Sequence, residues 1–161
     1  MMVTYRTAAR AAQDIKAALV AATQTLFAAD DSILVTFGHP GQQLANFDDI
    51  VAWTDWATEQ EPATLSMSKR TRDAQIRQQV VVSCVRPGGH EAEPVAAEAA
   101  TAIIEAIEDY LRDTDPTIGG RAWKVLTADQ SAQGATDPDS LANGRTVEVS
   151  ATVVAYVRLT N

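Results

Sequence analysis

Fourteen residues near the C-terminus, 146–159, alternate without a break. Val147, Val149, Ala151, Val153, Ala155, Val157 and Leu159 hold one parity, and Thr146, Glu148, Ser150, Thr152, Val154, Tyr156 and Arg158 the other. A period of two puts the first set on one face of an extended chain. At the usual rise the run spans on the order of 45 Å, longer than an average strand, and it needs neighbouring strands along its length. Whatever else the chain forms, it forms a sheet around this strand.

A second run supplies a neighbour. Ala74, Ile76, Gln78, Val80, Val82 and Cys84 share one face, and Gln75, Arg77, Gln79, Val81 and Ser83 the other, until Arg86-Pro87-Gly88-Gly89 ends the strand. Three shorter candidates are 33–37 (ILVTF), 50–53 (IVAW) and 122–127 (AWKVLT). His39-Pro40-Gly41 reads as a turn, and the first two short strands are expected to pair as a hairpin.

Helical spacing occurs twice. Over 7–28, Ile15, Leu19, Ala22 and Leu26 form a stripe, with Arg10, Gln13, Asp14 and Gln24 largely off it. Glu93-Pro94 opens a second helix, with an acid in its first turn and proline at an initiating position. There Ala96, Ala99, Ile103, Ile107 and Tyr110 make the stripe, widened by Ile104 and Leu111, and Asp115-Pro116 ends it. The order of elements predicts one α+β domain over 1–161: a mostly antiparallel sheet of four to five strands, with two helices on one face. The polar stretches 54–69 and 129–144 are expected to project as long loops or hairpins.

The 161 residues are 46% hydrophobic, enough for a core without disulfides or metal. Cys84 is the only cysteine, which excludes an intrachain disulfide and a zinc site of several thiolates. The start, MMVTYRTAAR, has no apolar segment of signal-peptide length, and about 18 apolar residues nowhere run together. The expectation is a chain that is neither exported by that route nor membrane-spanning.

A net charge of −8 and a pI near 4.6 oppose tight binding to a phosphate backbone. The charge is unevenly spread. Between Glu91 and Asp115, eight acids face Arg112 alone, whereas Lys69, Arg70, Arg72 and Arg77 face only Asp73. Such polarity suits subunits meeting unlike surfaces, and equally suits two solvated faces.

Catalytic readings fare poorly. Cys84 with His39 or His90 would make a thiolate–imidazole pair, but Cys84 lies on an apolar strand face and neither histidine sits in a motif. Asp48-Asp49 and Asp137-Pro138-Asp139 lack the ordered oxygen ligands of a calcium loop. Glu105, Glu108 and Asp109 share a helix surface with no predicted enclosure to separate their pKa values. Gly119-Gly120 precedes a strand, so no helix N-terminus there holds phosphate. No enzyme, cofactor or metal is expected. Trp53 and Trp56 either anchor a loop or meet a partner. Tyr156 and Arg158 are either solvent-facing or covered by a neighbour.

Residues 96–120, AAEAATAIIEAIEDYLRDTDPTIGG, carry a resemblance. An Ala-rich helix, the turn Asp115-Pro116-Thr117-Ile118-Gly119-Gly120 and a following strand resemble the tail terminator and minor tail proteins of long-tailed, non-contractile bacteriophages. The polar excursion before Arg70-Thr71-Arg72-Asp73, the strand 76–85 and the valine-rich last strand extend the likeness over most of the chain. The helix has alanines where such proteins often carry arginine, so no contact of that side chain carries over. The resemblance implies a virion protein assembled in the bacterial cytoplasm. It implies a ring, usually a hexamer, that caps the tail tube and meets the tube protein and the head-completion protein, while DNA passes without specific binding. A head-completion or adaptor protein of the neck is the alternative in the same setting, and a small-molecule-binding or catalytic α+β domain the alternative from another class. On the ring reading, Trp56, Glu59, Glu61, Lys69, Arg70, Arg72, Arg77, Asp137, Asp139 and Arg145 are candidate contact residues. Glu98, Glu105, Glu108 and Asp109 are candidates for an acidic channel lining.

Overall fold

Strands β3 (Thr71–Arg86) and β5 (Arg145–Thr160) form the spine of the fold, pairing antiparallel along their whole length from Thr71 opposite Thr160 to Arg86 opposite Arg145. The computed structural model describes residues 1–41, 47–60, 71–135, 141, 142 and 144–160. Around the spine lie β1 (Ile33–Phe37), β2 (Asp49–Gln60) and β4 (Lys124–Gly134), in the sheet order β1-β2-β3-β5-β4. All pairs but one are antiparallel.

The exception corrects the expected hairpin: β1 runs parallel to β2, with Ile33 opposite Asp49 and Phe37 opposite Trp53. A tight turn would have reversed the chain, but the connection 38–48 approaches the roughly dozen residues that a parallel crossover requires. Parts of the two stretches expected to project are strand. Residues 54–60 continue β2, and 129–134 continue β4. The remaining parts, 61–70, 136–140 and 143, lie outside the described residues.

Helices α1 (Ala8–Leu26) and α2 (Glu93–Asp109) cover one face of the sheet. Thr7 caps α1, its hydroxyl accepting from the Arg10 N–H at 3.2 Å. The buried side of α1 holds Ala8, Ala11, Ala12, Ile15, Lys16, Leu19, Val20 and Thr23. Leu26, expected in the stripe, is instead exposed beside the helix end. In α2 the packing residues are Ala96, Ala100, Ile103, Ile104 and Ile107, small toward the N-terminus and bulky toward the C-terminus. Both helices share one core with sheet residues that include Ile76, Val80, Val82, Val153 and Val157. Each fully buried aliphatic side chain there contributes about 1.5–3 kcal/mol. A charged residue at Ile15, wholly buried, would remove that contribution and strand the charge.

Two local devices fix how the helices meet the sheet. Trp53 is fully buried because its indole N–H donates to Thr23 Oγ1 at 3.2 Å, and that hydroxyl donates in turn to the Leu19 carbonyl at 2.6 Å. Beyond α2 the chain makes a π turn, Tyr110–Thr114, closed by the Asp115 N–H to the Tyr110 carbonyl at 2.9 Å. Ile118, Gly119 and Gly120 then hold φ of 50°, 62° and 79° in succession. The Asp115 carboxylate accepts the Gly119 N–H, and Ile118 pays the left-handed strain of a branched residue while its side chain is buried. This turn also receives the N-terminal segment: the Val3 N–H donates to the Gly120 carbonyl at 2.9 Å, and Tyr5 bridges to Leu159.

Candidate functional site: an exposed sheet arm and its edges

Among the described residues the opposite face of the sheet carries no helix. Register places Ala57 and Glu59 of β2, Gln75, Arg77, Gln79 and Val81 of β3, and Glu148, Thr152, Val154, Tyr156 and Arg158 of β5 together on it. Most of these are half-buried or exposed, covered among the described residues mainly by one another. Val154 is the exception at 2% exposed, flanked by Leu126 and by Arg77, which reaches across to pair with Asp129.

Asp129 occupies the left-handed region at φ 52°, inside a bulge between Ala128 and Ser131 that shifts the β4–β5 register. A matching bulge interrupts β2 between Trp53 and Trp56. Its carbonyls are held from the helix side. Lys16 Nζ donates to the Thr54 carbonyl at 2.6 Å, and Gln78 Nε2 donates to the Asp55 carbonyl at 2.9 Å. Gln78 is fully buried, and among the described residues its Oε1 has no hydrogen-bond partner. The Lys16 ammonium also lies 4.4 Å from the centre of the Phe37 ring, a cation–π contact. Burial pushes its pKa below the ordinary lysine value.

Past Trp53, β1 has ended and β2 continues alone. Among the described residues no strand lies on the outer side of 54–60, and Asp55, Trp56, Ala57, Glu59 and Gln60 are exposed there. The far edge of the sheet is β4, where residues 129–134 are all exposed. The two runs lie at opposite ends of the sheet: 131–134 sit across β5 and β3 from Asp49–Ala52, whereas 56–60 pair with 78–74 of β3.

The candidate contact residues fall in different settings. Trp56 is 45% exposed at the β2 edge, and Glu59 is exposed three residues further along the strand. Arg77 is engaged with Asp129. Arg72 is half-buried, and Arg145 is drawn in toward the loop, its Nη1 donating to the Leu141 and Gly144 carbonyls at 2.9 Å each. Glu61, Lys69, Arg70, Asp137 and Asp139 lie outside the described residues. Of the four acids assigned to a channel, Glu98, Glu105 and Asp109 are exposed on α2, and Glu108 is half-buried where it accepts from Gln130 at 2.5 Å. Glu105 and Glu108 border a shallow hollow of about 290 Å³ with Gln130 and Ser131. Asp109 pairs with Arg112, which also reaches Asp113.

A groove of about 470 Å³ crosses the open face between Glu59, Asp73, Gln75, Trp123 and Tyr156. Trp123, 46% exposed, tilts against Tyr156 with ring centres 5.2 Å apart, and Arg158 pairs with Asp73 at 3.1 Å. Sequence reading left Tyr156 and Arg158 undecided and did not single out Trp123. Register was the missing signal, since only the pairing of Lys124 with Tyr156 brings Trp123 beside that ring.

Cys84 is fully buried, and burial with the neighbouring Asp49 carboxylate pushes its thiol far above the ordinary range, so it is no nucleophile at neutral pH. Asp49 is held by Arg86 through two bonds, Nη1 to Oδ1 at 2.6 Å and Nη2 to Oδ2 at 3.1 Å. Among the described residues no three histidines, cysteines or acids are gathered as a metal site, and no helix is long and apolar enough to cross a membrane. No protein-family model matches the sequence, and no curated protein matches it either.

Proposed function

We propose that the chain is a structural subunit of a bacteriophage tail neck, closing into a ring, six copies by family likeness, that terminates the tail tube and joins it to the head. The observation that carries this reading is the outer run of β2, which continues past the end of β1 and, among the described residues, leaves a backbone edge exposed on one side of the sheet, with β4 as the margin on the other. Exposed edges pair with other chains unless they are blocked. Heterologous pairing that closes on itself makes a ring, where an open one makes a filament. The exposed acids Glu98, Glu105 and Asp109 suit a channel wall that repels DNA. In this role the tube protein and the head-completion protein are the partners, and no catalysis is involved.

The experiment is to add purified protein to tail tubes without their head-proximal cap and image them in negative stain. Density confined to that tube end supports the reading. Density at the head portal instead assigns the chain to the head-completion role. Density at neither removes both.

A second reading, from a different class, is favoured by the Trp123–Tyr156 groove, whose volume is within the range of small-molecule sites. Fluorescence screening of Trp123 against a metabolite panel tests it. A saturable change lost in Trp123→Ala favours ligand binding, and a flat response across the panel counts against it.

A further inference from the structure

We infer that the groove on the open sheet face is a site for an amphipathic organic cation, an aromatic or apolar body that carries an amidine, guanidine or amine. This rests on the small-molecule reading of that groove and names its ligand class.

Register builds the site. Glu59 pairs with Gln75, Gln75 with Tyr156 and Tyr156 with Lys124, so one row of open-face side chains crosses four strands from β2 to β4. Two residues along β3, Asp73 faces Arg158 on the same face. With neighbouring strands about 4.8 Å apart, Glu59 and Tyr156 stand roughly 10 Å from one another at the backbone. The groove of about 470 Å³ is lined by the residues of this interval and by Trp123.

Its two sides differ in chemistry. β2 and β3 supply the carboxylates of Glu59 and Asp73 and the amides of Gln60 and Gln75, whereas Tyr156 of β5 and Trp123 before β4 supply aromatic rings. No lysine or arginine is among the described residues that line it. Two cations touch lining residues, and each is engaged: Arg158 Nε meets Asp73 Oδ1 at 3.1 Å, and Lys124 Nζ lies 5.9 Å from the centre of the Tyr156 ring. A cleft whose own charges share one sign draws the opposite sign and opposes its own. Glu59, which is exposed, is the carboxylate that a ligand's cation reaches.

The rings select the body of the ligand. Trp123 is 46% exposed, and its ring centre lies 5.2 Å from that of Tyr156 with the planes 50° apart, so the pair makes an angled aromatic wall. Such rings take apolar or aromatic ligand surface and attract a cation at their faces. A bare ammonium would leave the rings uncovered, and a neutral aromatic would leave the carboxylates without a counter-charge. A ligand with both parts satisfies the two sides together.

The probe is benzamidine, and its near-isosteric neutral control is benzamide. The readout is the indole N–H resonances of the full-length protein, which has three tryptophans; Trp123→Phe identifies the Trp123 peak. Benzamidine should shift that peak saturably while the peaks of Trp53, which is buried, and Trp56, which pairs with Gln78 on the helix side, stay in place. Benzamide should bind about fivefold more weakly, having neither the ion pair nor the cation at the ring. Glu59→Gln should weaken benzamidine about threefold, as a partly solvated ion pair is lost. Equal affinity for the two probes, or no effect of Glu59→Gln, would overturn the cation assignment and leave the small-molecule reading standing. A Trp123 shift given only by neutral or anionic members of the metabolite panel would do the same. No shift with benzamidine or with any member of the panel would defeat both.

Discussion

The Lys16 ammonium lies 2.6 Å from the Thr54 carbonyl oxygen and holds the β2 bulge against α1. The contact joins residues 38 positions apart and sets where the exposed part of β2 begins. Lys16→Met keeps much of the side-chain volume but removes the donor, leaving a carbonyl short of a bond. The variant should lose about 1–3 kcal/mol, read as a lower midpoint in urea unfolding with an unchanged slope.

The same lysine predicts a pH dependence. Burial lowers its folded pKa, while the unfolded chain keeps the proton up to the ordinary value of 10.5. Between the two values the unfolded state binds more protons, so the lysine's contribution rises with pH through that window. Below the lowered folded value the burial cost is present in full. The difference in unfolding free energy between wild type and Lys16→Met should therefore widen as pH climbs toward 10.5. Comparing the two proteins cancels Tyr5, whose raised pKa acts in the opposite direction above its ordinary value. A constant difference across that window would contradict the assignment.

Much of the fold was legible because burial is one-sided. On β3 and β5, Ile76, Val80, Val149 and Val157 face helices while Gln75, Arg77, Glu148 and Arg158 do not, so a period of two stands out. The direction of β1 was not legible, since it depends on how the connection 38–48 runs and not on any pattern within Ile33–Phe37. Nor was the outer half of β2. Both faces of 55–60 are largely exposed, so nothing selects apolar residues at alternate positions and the strand reads as loop. Lys16 falls on the buried stripe of α1 between Ile15 and Leu19, yet its charge marks it as surface until the Thr54 carbonyl is seen. Of the candidate site, Trp56 and Glu59 lie where the exposed edge is, whereas Arg77 is engaged across the open face by the Asp129 carboxylate and Arg145 by two loop carbonyls.

Cys84 should be silent toward thiol reagents in the folded state. It is fully buried and its thiol is held protonated by burial and by Asp49. Labelling should proceed at the rate of global unfolding and rise in step with added denaturant. Rapid labelling in native buffer would show an opening of the sheet end near Asp49 that the packing does not allow.

The ion pair beside it makes its own prediction. Asp49→Ala strands the Arg86 guanidinium, which is about three-quarters covered, at the end of β3. The Asp49 bond holds the Arg86 pKa above its usual value, so the pair favours the folded state at neutral pH. A loss of about 2 kcal/mol is expected, below the range for fully buried pairs because Arg86 keeps some water contact. Thermal unfolding of Asp49→Ala alongside the double variant Asp49→Ala/Arg86→Met checks this, the second being the more stable of the two.

Gly144 has φ 142°, and a Cβ there would stand 2.5 Å from the Arg86 carbonyl oxygen. That carbonyl is backbone and has little room to move, because Arg86 pairs with Arg145 at the end of the spine. Gly144→Ala should cost about 2 kcal/mol or more from combined strain and overlap. Chemical denaturation measures it, and an unchanged midpoint would show that the start of β5 is not held against β3.

The central claim is that this polypeptide assembles with itself through its sheet edges. Native mass spectrometry of the full-length protein over a wide concentration range, alone and with tail tubes, tests it most directly. One closed species of fixed stoichiometry, six copies on the proposed ring reading, growing at the expense of monomer with no ladder of ever-larger forms, is the predicted result. Monomer at every concentration, unchanged by the tubes, would contradict it.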